Sequence, residues 1–278
     1  MDSMALYRGM DIGTAKPSRD EQAQVPHHLI DIIEPHEEFS LAQYVAAAEA
    51  AVAQIESRGR VALFVGGTPL YLKALLRGIF EGPPADWEFR ARWQQVADEQ
   101  GSAALHREVA AVDPQAAEKL HPNDTRRLIR ALEVHHLTGT PISVHQQQFE
   151  RPIPREQCRV FQLQWPRPEL HRRIDQRVEA MFAAGLVDEV RRLLAAGPLS
   201  RTAAQALGYR EVIEYLQGQR SLEETIALVQ LRTRQFAKRQ ETWFRSLHEC
   251  RVVPMQEGID LDALAAQIEA EGRQVTDT

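Results

Sequence analysis

The sequence is poor in cysteine and contains no long apolar run. Its 278 residues include two cysteines, Cys158 and Cys250, which are too few for a disulfide framework or a four-cysteine zinc site. No stretch approaches the roughly 20 apolar residues of a membrane-spanning helix, and the first residues lack the basic and apolar regions of a secretory signal. We therefore expect a cytoplasmic protein that has no disulfide, structural metal or membrane span.

The chain also lacks an excess of positive charge. Its formal net charge of -6 argues against a protein that coats nucleic acid nonspecifically, because such binding depends on many Lys and Arg side chains. One segment departs from this balance, since residues 232–245 contain five basic residues and a single acid, Glu241. Either a local nucleic-acid contact or a solvated helix face accounts for this segment.

A strand, a glycine turn and a helix follow one another in the first third of the chain. Residues 40–58 are typical of an amphipathic helix capped by Ser40, and residues 61–65 are typical of a strand. Residues 66–68, Gly-Gly-Thr, then lead into a helix over 70–76. This order is the unit of a parallel α/β sheet, whose ligands bind at the carboxyl ends of the strands. The turn is either a ligand site or simple steric relief.

The middle and the end of the chain are predicted to be largely helical. Residues 87–137 form Ala-rich helical segments interrupted at Gly101, at Asp113-Pro114 and at residues 121–124. A strand over 159–165 returns the chain to the sheet. Further helical periodicity occupies residues 170–194, 222–236 and 261–268. The predicted division is a first core part at 1–81, a helical insertion at 82–145, and a second core part with C-terminal helices at 146–278.

Three arginines lie in the first turns of the helix that follows residues 121–124, His-Pro-Asn-Asp. They are Arg126, Arg127 and Arg130, at a helix end whose dipole disfavours cations. Residues in conflict with local preference are often functional, and arginine is suited to bidentate phosphate contacts. The alternatives are phosphate binding and ion pairs with Asp124 and Glu133.

Residues 208–210, Gly-Tyr-Arg, form a second loop that leads into a helix. The aromatic ring of Tyr209 beside the guanidinium of Arg210 is a pairing that stacks on a displaced base and holds a phosphate in RNA recognition. Packing of the ring in the core is the alternative.

Several of these motifs, taken in order, closely resemble those of the bacterial tRNA dimethylallyltransferases, also called isopentenyl-diphosphate:tRNA transferases. The specificity comes from the set as a whole, and the match spans nearly the whole chain. The motifs are Asp2-Ser3 with Tyr-Arg-Gly-Met-Asp-Ile-Gly-Thr-Ala-Lys-Pro at 7–17, Val-Gly-Gly-Thr-Pro-Leu-Tyr at 65–71, residues 121–124, residues 208–210, and Arg-Gln-Phe-Ala-Lys-Arg-Gln-Glu-Thr-Trp at 234–243.

The resemblance implies a P-loop-NTPase-like α/β fold with a parallel sheet core and a helical insertion. It implies transfer of a dimethylallyl group from dimethylallyl diphosphate to N6 of the adenosine immediately 3′ of the anticodon, in tRNAs that read codons beginning with U. The base is expected to be flipped into a channel, with Asp2 as general base and Mg²⁺ assisting departure of diphosphate. The expected partners are the tRNA anticodon stem-loop and the prenyl donor, and the expected state is a monomer.

The resemblance also assigns site residues. Catalytic roles are expected for Asp2, Thr68 and Arg210. Many family members have Gln where this chain has Ala5, so a side-chain contact is expected to be missing there. The residues expected at the tRNA or the reacting groups are Asp2, Ser3, Met4, Ala5, Thr68, Arg90, Arg126, Arg127, Leu128, Ile129, Arg130, Gln205, Ala206, Leu207, Gly208, Tyr209 and Arg210.

The family's P-loop, Gly-Pro-Thr-x-x-Gly-Lys-[Ser/Thr], does not occur in the 278 residues. The sequence therefore predicts a misassigned start or a truncation upstream of Asp2, and it predicts that the chain as given is inactive and poorly stable. Two alternatives to the transferase are a tRNA-binding remnant without catalysis and a phosphotransferase similar to nucleotide kinases. Transfer of label from ATP would identify a phosphotransferase, and RNA binding without turnover would identify a tRNA-binding remnant.

Overall fold

The computed structural model describes residues 1–80, 82–147 and 152–273. The chain divides into two compact units, one of Met1–Lys73 with Ile153–Thr278 and one of Ala74–Pro152. Within the described residues the elements are α1 (Arg19–Gln24), α2 (Leu41–Glu56), α3 (Pro69–Arg77), α4 (Trp87–Gln100), α5 (Ser102–Val112), α6 (Pro114–Lys119), α7 (Thr125–Thr138), α8 (Ile142–His145), a 3₁₀ turn (Arg155–Gln157), β1 (Val160–Gln164), α9 (Arg167–Ala183), α10 (Leu186–Ala196), α11 (Arg201–Ala204), α12 (Tyr209–Leu216), α13 (Leu222–Arg245), β2 (Cys250–Pro254) and α14 (Leu261–Arg273).

The sheet of the first unit consists of β1 and β2, which run parallel with Val160 opposite Cys250 and Gln164 opposite Pro254. The predicted strand over 159–165 is confirmed, whereas β2 was not predicted. One face of the pair is covered by α14, where Val253 and Met255 pack with Leu264. A parallel pair separated by helices is the arrangement of an α/β protein, as predicted.

The helices of the first unit begin at local signals in the sequence. Ser40 caps α2 and Ser221 caps α13, each in a reciprocal capping box with the residue three positions later. The predicted helices over 40–58, 70–76 and 222–236 are confirmed, the last extending to Arg245. Helix α13 packs on α9 through a small core that includes Val178 and Val229.

The strand predicted over residues 61–65 is wrong. These residues are outside every strand and helix of the described chain, and the side chains of Val61 and Leu63 are both 85% exposed. A run of apolar residues becomes a strand only where a neighbouring strand supplies hydrogen bonds, and the described residues place none beside this segment. The following glycine turn and α3 are present as predicted.

The second unit is a helical cluster built from α4 to α8. Its core contains Phe89, Leu105, Val109 and Leu128. The predicted interruptions are confirmed, because Gly101 has a positive φ of 81° between α4 and α5 and Asp113 caps α6 with Pro114 at its first position. No helix of the described chain has the length and apolar character to cross a bilayer.

Candidate functional site

Two motifs that are distant in sequence meet in the first unit. The backbone N–H of Ser3 donates to Thr68 Oγ1 at 3.2 Å, a contact between residues 65 positions apart. The N–H of Thr68 in turn donates to the carbonyl of Met1 at 3.3 Å. The Asp-Ser and Gly-Gly-Thr motifs therefore form one cluster at the start of α3.

The carboxylate of Asp2 lies at the surface of this cluster. Asp2 is exposed, and its Oδ1 accepts the N–H of Met4 at 2.8 Å in a local turn. Ala5 is buried, so its side chain is not at the surface. A parallel bridge between Tyr7 and Ile33 fixes the backbone just beyond. This arrangement orients one carboxylate toward solvent on a fixed backbone.

The side chain of Lys16 is buried against the loop at 7–17 and does not face solvent. Its Nζ donates to Asp11 Oδ1 and Asp31 Oδ1, both at 2.6 Å, and to the carbonyl of Tyr7 at 2.8 Å. The side chain is 3% exposed. An ammonium group has three donors, so two of them are used within the loop and the third joins the loop to Asp31.

Glu189 joins the loop at 7–17 to the Gly-Tyr-Arg motif. This buried carboxylate accepts the N–H groups of Asp11 at 3.1 Å and Ile12 at 2.8 Å through Oε2, and that of Gly13 at 3.3 Å through Oε1. The hydroxyl of Tyr209 donates to Oε1 at 2.6 Å. Burial, together with the hydrogen bond to Glu189, raises the pKa of Tyr209. The carboxylate of Glu189 therefore holds the loop at 7–17 and the Gly-Tyr-Arg motif together.

The interpretation of Tyr209 as a base-stacking residue is therefore wrong. Its side chain is fully buried, and its ring lies so close to Gly13 that a Cβ there would meet Cε2 at 2.4 Å. Tyr209 instead packs in the core, because burial of a large ring is favourable when its hydroxyl has a hydrogen-bond partner. Ala206 is likewise buried, whereas Gln205 is exposed and Leu207 is intermediate.

Arg210 lies beside a second buried carboxylate, that of Glu211. Glu211 accepts the N–H of Gly208 at 2.8 Å, a guanidinium N–H of Arg232, and Nη2 of Arg210 at 3.0 Å. Burial alone would raise the pKa of Glu211, but the hydrogen bonds led by that of Arg232 outweigh it and hold the pKa below its ordinary value. The side chain of Arg210 is 43% exposed, so its guanidinium has a free face for an anion.

In the second unit, Arg90 and Arg130 share one buried acid. Glu133, whose side chain is fully buried, accepts Nε and Nη2 of Arg90 at 2.7 and 2.8 Å and Nη1 of Arg130 at 2.5 Å. It also accepts the N–H of Asp86 at 2.8 Å. Two guanidinium groups against one carboxylate leave a local positive charge, and each arginine side chain is about 30% exposed.

The other two arginines of this segment face solvent. Arg127 forms an ion pair with Asp124 at 3.4 Å, and Asp124 caps α7; no ion pair of Arg126 is found among the described residues. Leu128 and Ile129 are buried in the core of the unit. Both side chains pack inside the helical cluster, and the contact of these two residues with tRNA that the resemblance implies stays a prediction.

The sequence reasoning missed Glu189 as a functional residue. Glu189 falls on the face of α10 that also buries Leu186 and Val190. An acid at an apolar position of a helical pattern is a detectable signal, because a buried carboxylate needs specific partners. Gln240 was also missed, although its Nε2 donates to the carbonyl of Gly67 at 2.6 Å.

The described part of the chain contains no group of three or more His, Cys, Asp or Glu side chains arranged to hold a metal ion. The carboxylates of Asp2, Glu189 and Glu211 instead accept hydrogen bonds from backbone N–H groups, and that of Glu211 also accepts them from guanidinium groups.

Comparisons with known proteins give a consistent result. The sequence model of the family described as IPP transferase matches residues 5–247. A tRNA dimethylallyltransferase of Rhodopirellula baltica is 50% identical over 252 residues, which are 90% of this chain and 75% of the relative. One of Desulforamulus reducens is 44% identical over 268 residues, 96% of this chain and 95% of the relative.

A solved structure shows the same likeness in three dimensions. The full-length tRNA isopentenylpyrophosphate transferase of Bacillus halodurans is 37% identical and superimposes with a TM-score of 0.66, over 98% of this chain and 88% of that chain. This likeness confirms the predicted P-loop-NTPase-like α/β class for the chain.

Proposed function

Because the chain belongs to the IPP transferase family, we propose that it is a tRNA prenyltransferase. It transfers a dimethylallyl group from dimethylallyl diphosphate to N6 of the adenosine immediately 3′ of the anticodon, in tRNAs that read codons beginning with U. Relatives that are named for this reaction support the substrate pair. The structural observation that supports the proposal is the hydrogen bond from the N–H of Ser3 to the Thr68 hydroxyl, which brings the Asp-Ser and Gly-Gly-Thr segments together.

Asp2 is the general base of the proposed reaction. The exocyclic amine of adenine is a weak nucleophile, so a carboxylate that accepts its proton while the N6–C1 bond forms lowers the barrier. Oδ1 already accepts the N–H of Met4, which leaves Oδ2 to take the proton. The C1–O bond to diphosphate breaks in the same step, and the electron pair leaves with the diphosphate.

Thr68 and Arg210 are the groups that we assign to the reacting diphosphate. Thr68 uses one lone pair for Ser3, so its O–H remains a donor. The half-exposed guanidinium of Arg210 offers charge to the leaving group. Mg²⁺ is commonly held by few protein oxygens together with substrate phosphates, and Thr68 fits such a shared site. When bound there, the ion would stabilise the charge that develops on the diphosphate.

We assign the tRNA contacts to solvent-accessible side chains and to backbone groups. Arg90, Arg126, Arg127 and Arg130 supply positive charge for phosphates. The segments 2–5 and 205–210 contribute mostly through backbone and through Gln205, because several of their side chains are buried. We also propose that the protein is a cytoplasmic monomer. We propose divisions at 1–81, 82–145 and 146–278, and a separate compact unit in the middle of the chain supports the placement of the insertion.

A donor assay tests the reaction. The purified protein is incubated with an anticodon stem-loop that carries the target adenosine, and with either labelled dimethylallyl diphosphate or labelled ATP. Label in the RNA from the prenyl donor alone is the result that would support the proposal. Label from ATP would favour a phosphotransferase, and RNA binding without transfer from either donor would favour a tRNA-binding remnant.

Asp2→Asn tests the role of the base. The substitution keeps an oxygen that accepts the N–H of Met4 but removes the proton acceptor, so kcat is expected to fall by about 100-fold or more. Stability should change by less than about 0.5 kcal/mol, because Asp2 is exposed. Asp20→Asn, at another exposed aspartate, is the matched control. A kcat for Asp2→Asn close to that of this control would exclude Asp2 as the base.

A further inference from the structure

The side chain of Gln240 reaches from α13 to the glycine turn that precedes α3. Its Nε2 donates to the carbonyl of Gly67 at 2.6 Å, across 173 positions of sequence. The amide also packs against the glycine itself, because a Cβ at Gly67 would lie 2.4 Å from Nε2. Gln240 is not among the residues that we assign to the reacting groups or to tRNA.

The opposite side of the same turn rests on the backbone of the Asp-Ser segment. A Cβ at Gly66 would lie 2.2 Å from the carbonyl oxygen of Met1, so only glycine permits this approach. The N–H of Thr68 donates to that same oxygen, and its hydroxyl accepts from Ser3. The turn is therefore enclosed between the segment that carries Asp2 and the amide of Gln240.

The surroundings give Gln240 a particular importance for the position of this turn. Residues 61–65, which lead into the turn, belong to no strand of the described chain, so ladder hydrogen bonds do not set its position. Helix α13, in contrast, is fixed by ion pairs of Arg232 with Glu211 and of Arg234 with Asp175. Gln240 thus connects a helix held by two ion pairs to the glycine turn, which on its other side is bonded to Met1 and Ser3.

We propose that Gln240 is a positioning residue, which holds the Gly67 carbonyl so that the Thr68 hydroxyl stays against the Asp2–Ser3 segment. The proposal rests on the proposed function, because it places Thr68 and Asp2 at the reacting groups. Gln240 itself touches neither. Its effect on the reaction passes through one backbone carbonyl to the next residue.

Substitution of Gln240 tests the effect on catalysis. Gln240→Met keeps the length of the side chain and removes the donor, and kcat is expected to fall about 10- to 100-fold, since small misplacements of reacting groups are costly. KM for the RNA and the urea midpoint should stay close to those of the wild type. Gln235→Ala, at an exposed glutamine of the same helix, is the matched control. A kcat for Gln240→Met equal to that of the control would overturn the proposal.

Gly67→Ala tests whether the loss of kcat passes through the contact between Gly67 and Gln240. The added methyl group would displace the amide of Gln240, so kcat should fall as it does in Gln240→Met. In a background that already carries Gln240→Ala the same methyl group has nothing to displace, and little further loss is expected. Losses that simply multiply in the double variant would show that the two changes are independent and would overturn the proposal.

An NMR measurement tests the contact without turnover. The amide nitrogen of Thr68 is bonded to the Gly67 carbonyl, so loss of the hydrogen bond from Gln240 should shift its ¹⁵N resonance in Gln240→Ala and not in Gln235→Ala. An unchanged resonance would overturn the contact whatever the activity. If the resonance shifts while the wild type transfers no prenyl group, the contact stands and the proposed function fails.

Discussion

At the scale of single residues, the first unit depends on buried carboxylates whose partners are backbone N–H groups. Glu189 collects three such donors from residues 11–13 and a fourth from Tyr209. A buried charge is tolerated only with this degree of hydrogen bonding. One acid on α10 therefore fixes both the loop at 7–17 and the start of α12.

Tyr209→Phe removes one of these four donors without changing the shape of the ring. A hydrogen bond to a charged acceptor contributes about 1.5 to 3 kcal/mol, so the free energy of unfolding is expected to fall by about 2 kcal/mol in urea denaturation. Tyr215→Phe, on the same helix but only partly buried, should change it by less than about 0.5 kcal/mol. Equal effects of the two substitutions would contradict the assignment of the Tyr209 hydroxyl to Glu189.

At the scale of elements, Glu133 of α7 links this helix to α4 through the guanidinium group of Arg90, and Arg130 of α7 itself pairs with the same carboxylate. Burial would raise the pKa of Glu133, but the hydrogen bonds from the two arginines outweigh it and the pKa lies below its ordinary value. A carboxyl whose pKa is depressed by folding adds stability above its unfolded pKa. That stability is lost as the pH falls through the folded pKa.

Glu133→Gln should therefore destabilise the helices of the second unit in a pH-dependent manner. Removal of one partner of a buried ion pair costs about 3 kcal/mol, and this deficit should be largest near neutral pH. It should shrink below about pH 4.3, the ordinary glutamate pKa. Hydrogen exchange of the α4 and α7 amides measures the effect, with the exposed Glu118→Gln as control. A deficit that stays constant between pH 7 and pH 3 would contradict this account.

Elements were predictable from the sequence where their signals are local. The cap at Ser40 and the breaks at Gly101 and Asp113 depend on a few neighbouring residues, and the structure contains all three. Residues 61–65 carry an equally clear strand pattern but lack a neighbouring strand among the described residues. Strand formation depends on a partner that periodicity does not reveal.

The candidate site was predictable in its motifs but not in its connections. Asp2, Thr68 and Arg210 were identified from the resemblance, yet nothing local in the sequence indicated that Gln240 contacts Gly67. The burial of Tyr209 likewise depends on Glu189, 20 positions earlier. Contacts across such distances follow from packing of whole elements, which propensities and spacing do not specify.

At the scale of the whole molecule, binding of RNA has to overcome a net charge of -6. An acidic protein gains little from nonspecific attraction to phosphates, so tRNA affinity should depend on a few local cations. Arg126 and Arg127 are the exposed pair at the start of α7. Their position at the positive end of a helix dipole adds to the local field instead of cancelling it.

Replacement of Arg126 and Arg127 by Ala should weaken binding of the anticodon stem-loop and flatten its dependence on salt. Each lost phosphate contact lowers the slope of log K against log salt by about 0.7 to 0.9, so the double variant should lose about 1.5 in slope. Arg107→Ala removes an exposed arginine from α5 of the same unit and should leave the slope unchanged. If the double variant binds more weakly but keeps the wild-type slope, the two arginines do not contact phosphates, because loss of a phosphate contact must reduce the number of counterions released.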